Sequence, residues 1–459
     1  MSTSVIPLNR HRPLADIVER ARDADRLAFL DSSMPGTQGR YSILGLFPYL
    51  IIEQKHGACL VNGKPVKSSF FDVVKEHLQA DAGTKDPPLP LTGGALGYLG
   101  YDFGRELCGV PTVHERNSEV PEANMVFYDL LIIEDLRKQA LFCCCKGKTM
   151  TADEAAAWAD DLIARCPCVS RPARKNSLAP FASAFTRESY EDTLARLVEY
   201  LHAGDAYVVN MTQQLSLETS EDPYSIYRYL RTYNPAPFSA YLRAPGLDIC
   251  CSSMERFMEI RSGHAVTRPI KGTRPRGRTP AEDLAYREEL ACSEKDLSEL
   301  TMIVDLERND LSITCEPGSI KTAGRFSVEA YPTVFHLVAT VEGALREDRC
   351  AVDAVQAAFP GGHHGRPEDP RDADHRRART IEQGLVHGQH RILLGYRRLR
   401  PEHRDPNHRT RREKDIARRR RRHHRGIRFR FRIRRNAAKG PGAARGGVKL
   451  NPRPESAAR

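Results

Sequence analysis

Hydrophobic positions along the chain recur at two periods up to about residue 362, and then both patterns fade. GRYSILGLFPYLIIEQ from Gly39, followed by GACLVNGKPV, reads as strands separated by glycine turns. From Thr186 the period changes. Tyr190, Leu194, Leu197, Val198 and Leu201 recur at helical spacing, and Gly204 is the stop. YVVNMTQQLSL then predicts a strand with Val209, Met211, Gln213, Leu215 and Leu217 on one face. In SSMERFMEIRSGHAVTRPIKGTRPRG, Ser262-Gly263 predicts a tight hairpin turn between two strands. Folding there would bring Glu255 and Lys271 nearly opposite each other. SEKDLSELTMIVDLERNDL predicts a helix opened by Ser293, with Glu299, Ile303 and Leu306 on one face. YPTVFHLVATVEGAL predicts a strand in which His336 shares a face with Val334 and Val338.

Charge divides the chain at the same place. Residues 1–362 hold 40 basic and 49 acidic side chains, and residues 363–459 hold 30 and 10. The net charge of +11 therefore combines a mildly acidic body with a tail of +20. Leu, Ile, Val and Phe supply 14 of the 97 tail residues, too few for a core at that charge. All 12 cysteines precede Gly362, and Cys143–Cys145 and Cys250–Cys251 fit neither zinc spacing nor a disulfide framework. They read as idle thiols of a cytoplasmic protein. MSTSVIPLNRHRPLADIVER has no apolar leader, and MVFYDLLII from Met125 is too short to cross a membrane. GGALGYLGYD from Gly93 is glycine-rich but has no phosphate-loop pattern. Four regions follow: 1–165, a connection at 166–184, a region at 185–362 that carries the candidate residues, and the tail at 363–459.

Each candidate residue also has an ordinary structural reading. Gln213 is either an amide bonded to nearby backbone or a group lining a site. A Lys271–Glu255 pair is either a surface ion pair or a tuned nucleophile with an acid beside it. Glu299, on a partly apolar helix face, is either paired or binds a cation. His336 is either a satisfied core residue or a site histidine.

These segments together resemble one family, the chorismate-utilising enzymes. GRYSILG, GGALGYLGYDFGR, HAGDAYVVNMTQ, NPAPFSAYLR, MERF, RPIKGTRPRG, KDLSELTMIVDLERNDL, CEPGSI, HLVATVEG and AFPGG occur in the family's order over about residues 25–362. The resemblance implies an α+β fold: two large antiparallel sheets packed as a sandwich and surrounded by helices, with the C-terminal part disrupted. It implies chorismate as substrate, Mg²⁺ held by Glu299, and ammonia from a glutamine amidotransferase subunit. Lys271 matches the family's lysine that attacks ring carbon two as the hydroxyl leaves carbon four. Glu255 matches the acid for that hydroxyl, and His336 the active-site histidine. Gln213, Gly272 and Thr273 match substrate-binding positions. Lysine at 271 and glutamine at 213 imply amination at carbon four, towards para-aminobenzoate and folate. The sibling reaction, giving anthranilate, is the alternative. Met254 departs from the family's usual proline.

After FPGG the family continues approximately SITGAPKIRAM, whereas this chain continues HHGRPEDPRDA. HHGRPEDPRDADHRRART admits codons that, read one base later, spell ITGAPKIRAMQIIDELEP. Further on, GQHRI permits GSIGY, EHRDPNH permits NIAIRT, and RFRFRIRRNA permits DSDSEYEETL. Arg418 to Arg422, followed by His423, permit five glycines. All lie in the family's order. Taken literally, five arginines would suit nucleic acid, with salt-dependent binding. The decoding favours a shifted frame instead, with nucleic acid not a partner.

Overall fold

The computed structural model describes residues 3–36, 38–80, 89–109, 120–166, 170–173, 181–204, 209, 211, 213, 215–324 and 326–359, and the backbone of 392–397. The first elements are β1 (Ser4–Pro7), α1 (Leu14–Ala21), β2 (Leu27–Asp31), β3 (Tyr41–Lys55), β4 (Ala58–Val61) and β5 (Lys64–Val66). They continue with α2 (Phe70–Ala80), β6 (Ala95–Leu99), α3 (Tyr101–Leu107), β7 (Ala123–Asp135), β8 (Ala140–Cys145) and α4 (Ala152–Ala164). The apolar run MVFYDLLII forms most of β7, a strand buried on both faces between β3 and β8. The glycine turns appear as expected: His56-Gly57 and Asn62-Gly63 have φ of 51°, 80°, 48° and 78°, the conformation two-residue hairpins need.

Next come β9 (Ala182–Ser183), α5 (Arg187–Ala203), β10 (Leu215–Ser216), α6 (Pro223–Tyr233), β11 (Ser239–Ala244) and β12 (Leu247–Ser252). Thr186 caps α5 by accepting from the Ser189 amide, and Gly204 ends it at φ 82°. The strand expected over 207–217 is present at Leu215–Ser216. Val209, Met211 and Gln213 lie outside it, and 205–208, 210, 212 and 214 lie outside the described residues.

β11 pairs with β2, so regions 1–165 and 185–362 share one antiparallel sheet of 11 strands. α1, α4 and α6 cover one face through Leu14, Ile17, Ala159, Tyr224 and Tyr227. α2 and α3 pack on another part through Phe70, Phe71 and Phe103. Among the described residues, no helix is long and apolar enough to cross a membrane.

The last elements are β13 (Arg256–Arg261), β14 (His264–Arg268), β15 (Ile270–Pro275), α7 (Pro280–Cys292), α8 (Glu294–Ser312), β16 (Lys321–Thr322), β17 (Ser327–Ala330), β18 (Val334–Val338), β19 (Val341–Ala344), α9 (Ala351–Ala358) and β20 (Ile392–Arg397). They form a four-stranded sheet, β13-β14-β19-β16, and a three-stranded one, β15-β18-β17, while β20 borders β12. One ribbon joins the two smaller sheets. His264 to Thr267 pair with Ala344 to Val341, and Ile270 and Lys271 pair with Val338 and Leu337 in the same register. Pro269 has no N–H to give, but its carbonyl still accepts from the Ala339 amide at 3.1 Å. The second layer is thus a single long pairing interrupted at a proline. α7 and α8 pack on it through Leu290, Leu300 and Val304 against Phe335 and Leu337.

Cys143, Cys144, Cys145, Cys250 and Cys251 are buried and unbridged, and burial pushes Cys143 and Cys144 up to about 12. Among the described cysteines, native-state titration with a thiol reagent should label the exposed Cys292 first and spare this group until unfolding. Fast labelling of Cys144 in the folded chain would contradict the packing.

Candidate active site

The site is built around one extra residue in the ribbon. Ser262 and Gly263 turn at φ 49° and 76°, and Arg261, Ile260 and Glu259 pair with His264, Ala265 and Val266. The ladder then shifts so that Arg256 faces Arg268. This corrects the expectation that Glu255 and Lys271 oppose each other. Pairing with β13 stops before Pro269, and Lys271 instead pairs with Leu337 of β18.

Two residues on, Thr273 pairs with His336 rather than with Phe335. Gly272 is the bulged residue, at φ 70°. Adjacent residues on a strand point to opposite faces, so the bulge divides the site. Lys271, opposite Leu337, faces α8, where its Nζ lies 4.0 Å from Glu299 Oε1. Thr273 faces the other way, and its Oγ1 lies 3.1 Å from His336 Nδ1. Without the bulge both side chains would share one face.

Gly272 is also pressed by both α7 and α8. A Cβ there would sit 2.8 Å from Leu290 Cδ1 and 2.9 Å from Asp296 Cβ. Left-handed strain and overpacking together should cost Gly272→Ala about 2–4 kcal/mol. Urea denaturation measures this, and a change below about 0.5 kcal/mol would argue against the bulge.

Ser293 caps α8 by accepting from the Asp296 amide at 3.3 Å. The helix turns Asp296, Leu300, Ile303, Val304, Glu307 and Asp310 inward, and Leu306 is only half-buried. Asp296 accepts from Arg274 Nη2 at 3.0 Å, and Arg274 also reaches Glu289 at 2.9 Å. Sequence reading passed over Asp296, although its place one turn from the Ser293 cap on an apolar-periodic face was a usable signal. Glu299 carries an oxygen donor of the hard type magnesium takes. Among the described residues, however, no group of three His, Cys, Asp or Glu side chains could hold a metal ion, so Glu299 does not complete a site there.

His336 is 1% exposed, and burial pushes its imidazole down to about 4, leaving it neutral at physiological pH. Its Nδ1 also lies 3.4 Å from the Gly272 carbonyl, and its Nε2 lies 2.6 Å from Met254 Sδ. Glu255 is buried one residue from Met254. Gln213 is tied to a different element, where its Oε1 accepts from Ser183 Oγ at 2.8 Å.

Comparison with known proteins agrees with this architecture. The profile of the chorismate binding enzyme family matches residues 31–368. Aminodeoxychorismate synthase component 1 of Salmonella typhimurium is 39% identical over 277 residues, covering 60% of this chain and 59% of that protein. The Bacillus subtilis protein of the same name is 31% identical over 373 residues, covering 78% and 77%. Anthranilate synthase component 1 of Acetivibrio thermocellus is 32% identical over 357 residues, covering 73% and 72%. In fold, the crystal structure of anthranilate synthase component I from Streptococcus pneumoniae superposes with a TM-score of 0.66 at 23% identity, covering 77% of this chain and 80% of that one. The isochorismate synthase MenF of Escherichia coli superposes at 0.60 and 12% identity, covering 86% and 81%. With the family profile spanning most of its length, this chain belongs to the chorismate binding enzymes.

Proposed function

We propose that this chain is the chorismate-aminating component of an aminodeoxychorismate synthase, acting in the cytoplasm on the route to para-aminobenzoate and folate. The observation that carries this reading is Lys271, set in RPIKGTRPRG and buried on β15 with its amine towards Glu299. A lysine there can act as nucleophile. Its Nζ bonds to ring carbon two, the ring double bonds shift, and the hydroxyl on carbon four leaves as water with a proton from Glu255. Ammonia then adds at carbon four and expels the lysine. Gln213, Gly272 and Thr273 bind substrate, and His336 borders the ring. A glutamine amidotransferase subunit supplies the ammonia. Glu299 would hold Mg²⁺ together with ligands outside the described residues, and the metal would supply positive charge for a substrate carboxylate.

The second reading, anthranilate formation, is favoured by the 32% identical relative from Acetivibrio thermocellus. Residue 271 argues against it, because the family resemblance implies that anthranilate synthases usually carry alanine where this chain has Lys271. A third reading, nucleic-acid binding by the arginine-rich tail, falls on residues outside those described.

We further propose that residues 363–459 are encoded out of frame. The shifted reading restores family segments in order, and the family match itself ends at residue 368. Resequencing the locus tests the frame: codons incompatible with ITGAPKIRAM would refute it. Product analysis with chorismate, Mg²⁺ and ammonia, on a frame-restored chain, tests the chemistry. Anthranilate with pyruvate, in place of 4-amino-4-deoxychorismate, would select the second reading.

A further inference from the structure

Met254 stands on the link between the two layers. Residues 253–255 join β12 of the large sheet to β13 of the ribbon, and the backbone there is tied down. Phe238 donates its amide to the Ser253 carbonyl at 2.9 Å, and Glu255 donates its amide to Ser253 Oγ at 3.2 Å. The Met254 side chain is half-buried and has three rotatable bonds, so it can move where its backbone cannot. It lies on His336, with Sδ 2.6 Å from Nε2.

That contact bears on which ring nitrogen carries the proton. A thioether has no proton to give, so a lone pair on Nε2 would face the sulfur lone pairs at close range. A proton on Nε2 turns the same contact into an N–H···S bond. On the other side of the ring, Thr273 Oγ1 lies 3.1 Å from Nδ1 and can donate to it. The competing contact is the Gly272 carbonyl, which only accepts and so would need the proton on Nδ1. At 3.4 Å it is the longest of the three and the weakest claim on that proton. The Thr273 hydroxyl suits either tautomer, so the close sulfur decides against the distant carbonyl. Burial keeps the ring neutral, and only a neutral ring has a tautomer to choose.

We infer that Met254 is a positioning residue whose thioether accepts the Nε2–H proton of His336 and occupies the place where that proton would otherwise meet a substrate oxygen. Thr273 completes the arrangement at Nδ1. A carboxylate or hydroxyl oxygen is a stronger acceptor than a thioether, so substrate takes the proton's partner position by displacing the sulfur. The tied backbone confines that movement to the Met254 side chain.

The displacement rests on the chorismate reading, whereas the position of the ring proton does not, so the two can fail separately. Nitrogen-15 NMR of the full-length chain with labelled histidine reads both ring nitrogens at neutral pH, and His336→Gln identifies the resonances. The expected result is Nε2 in the protonated range and Nδ1 in the unprotonated range. Met254→Leu keeps the bulk and removes the acceptor, and should move the two shifts towards each other as the tautomers mix. A wild-type Nδ1–H tautomer would overturn the inference whether or not any variant folds. So would unmoved shifts in a folded Met254→Leu chain. In the frame-restored chain, Met254→Ala clears the position and should lower KM for chorismate about 3- to 10-fold, the value of one released hydrogen bond, with kcat within about twofold. An unchanged or raised KM would overturn the displacement. Absence of turnover from the restored wild type would sink the amination reading instead, and leave the nitrogen shifts to decide this one.

Discussion

Restoring the frame by adding two bases between the codons for Gly362 and His363, so that FPGG runs into SITGAPKIRAM, is expected to convert an inactive polypeptide into one that makes 4-amino-4-deoxychorismate. The literal chain keeps Lys271, Glu255, Glu299 and His336. It lacks the glycine-rich segment, the NIAIRT arginine and the SEYEET glutamates that the shifted frame encodes. Glu299 shows why this matters, since the family resemblance places the rest of the metal site in the SEYEET glutamates. One carboxylate gives a divalent cation too few ligands to hold a substrate carboxylate in place. The effect on rate should be all or none: turnover with chorismate, Mg²⁺ and ammonia from the restored chain, and none from the literal one. Equal activity from both would remove the frame proposal.

Lys271→Ala in the restored chain is expected to lower amination at carbon four by about 10³-fold or more, the scale seen when a covalent nucleophile is lost. The packing argues that this loss is chemical. Lys271 sits on a ribbon whose register is set by Ile270–Val338 and by the Pro269 carbonyl, neither of which involves its side chain. Lys271→Ala should therefore leave the urea midpoint nearly unchanged, whereas Gly272→Ala lowers it. The contrast between neighbouring residues separates lost chemistry from lost structure. A Lys271→Ala chain that keeps most of its rate would assign the nucleophile elsewhere.

Local features were readable in the sequence because local physics sets them. The Ser262-Gly263 turn, the Thr186 and Ser293 caps and the Gly204 stop each rest on a few neighbouring residues. The family was legible in its motifs, and the antiparallel sheets followed from that resemblance rather than from periodicity. The partner of Lys271 did not, because it depends on β18, far along the sequence. Symmetric counting from Gly263 placed Glu255 opposite Lys271, but the shift at Arg256 and the proline at 269 end that ladder early. The Gly272 bulge was equally hidden. A glycine beside a lysine suggests freedom, yet only the offset from Leu337 to His336 shows that the two faces exchange. Met254 was legible only as a departure from the family's usual proline. Its contact with His336 comes from β18, brought to it by tertiary packing.

The central claim is that Lys271 forms a bond to the substrate. Peptide mass spectrometry of the frame-restored chain, incubated with chorismate and Mg²⁺ but no ammonia, measures that directly. The expected result is a covalent adduct of chorismate less one water on the peptide containing Lys271, discharged when ammonia is added. Steady amination with no adduct on that peptide, or with an adduct on another residue, would contradict it.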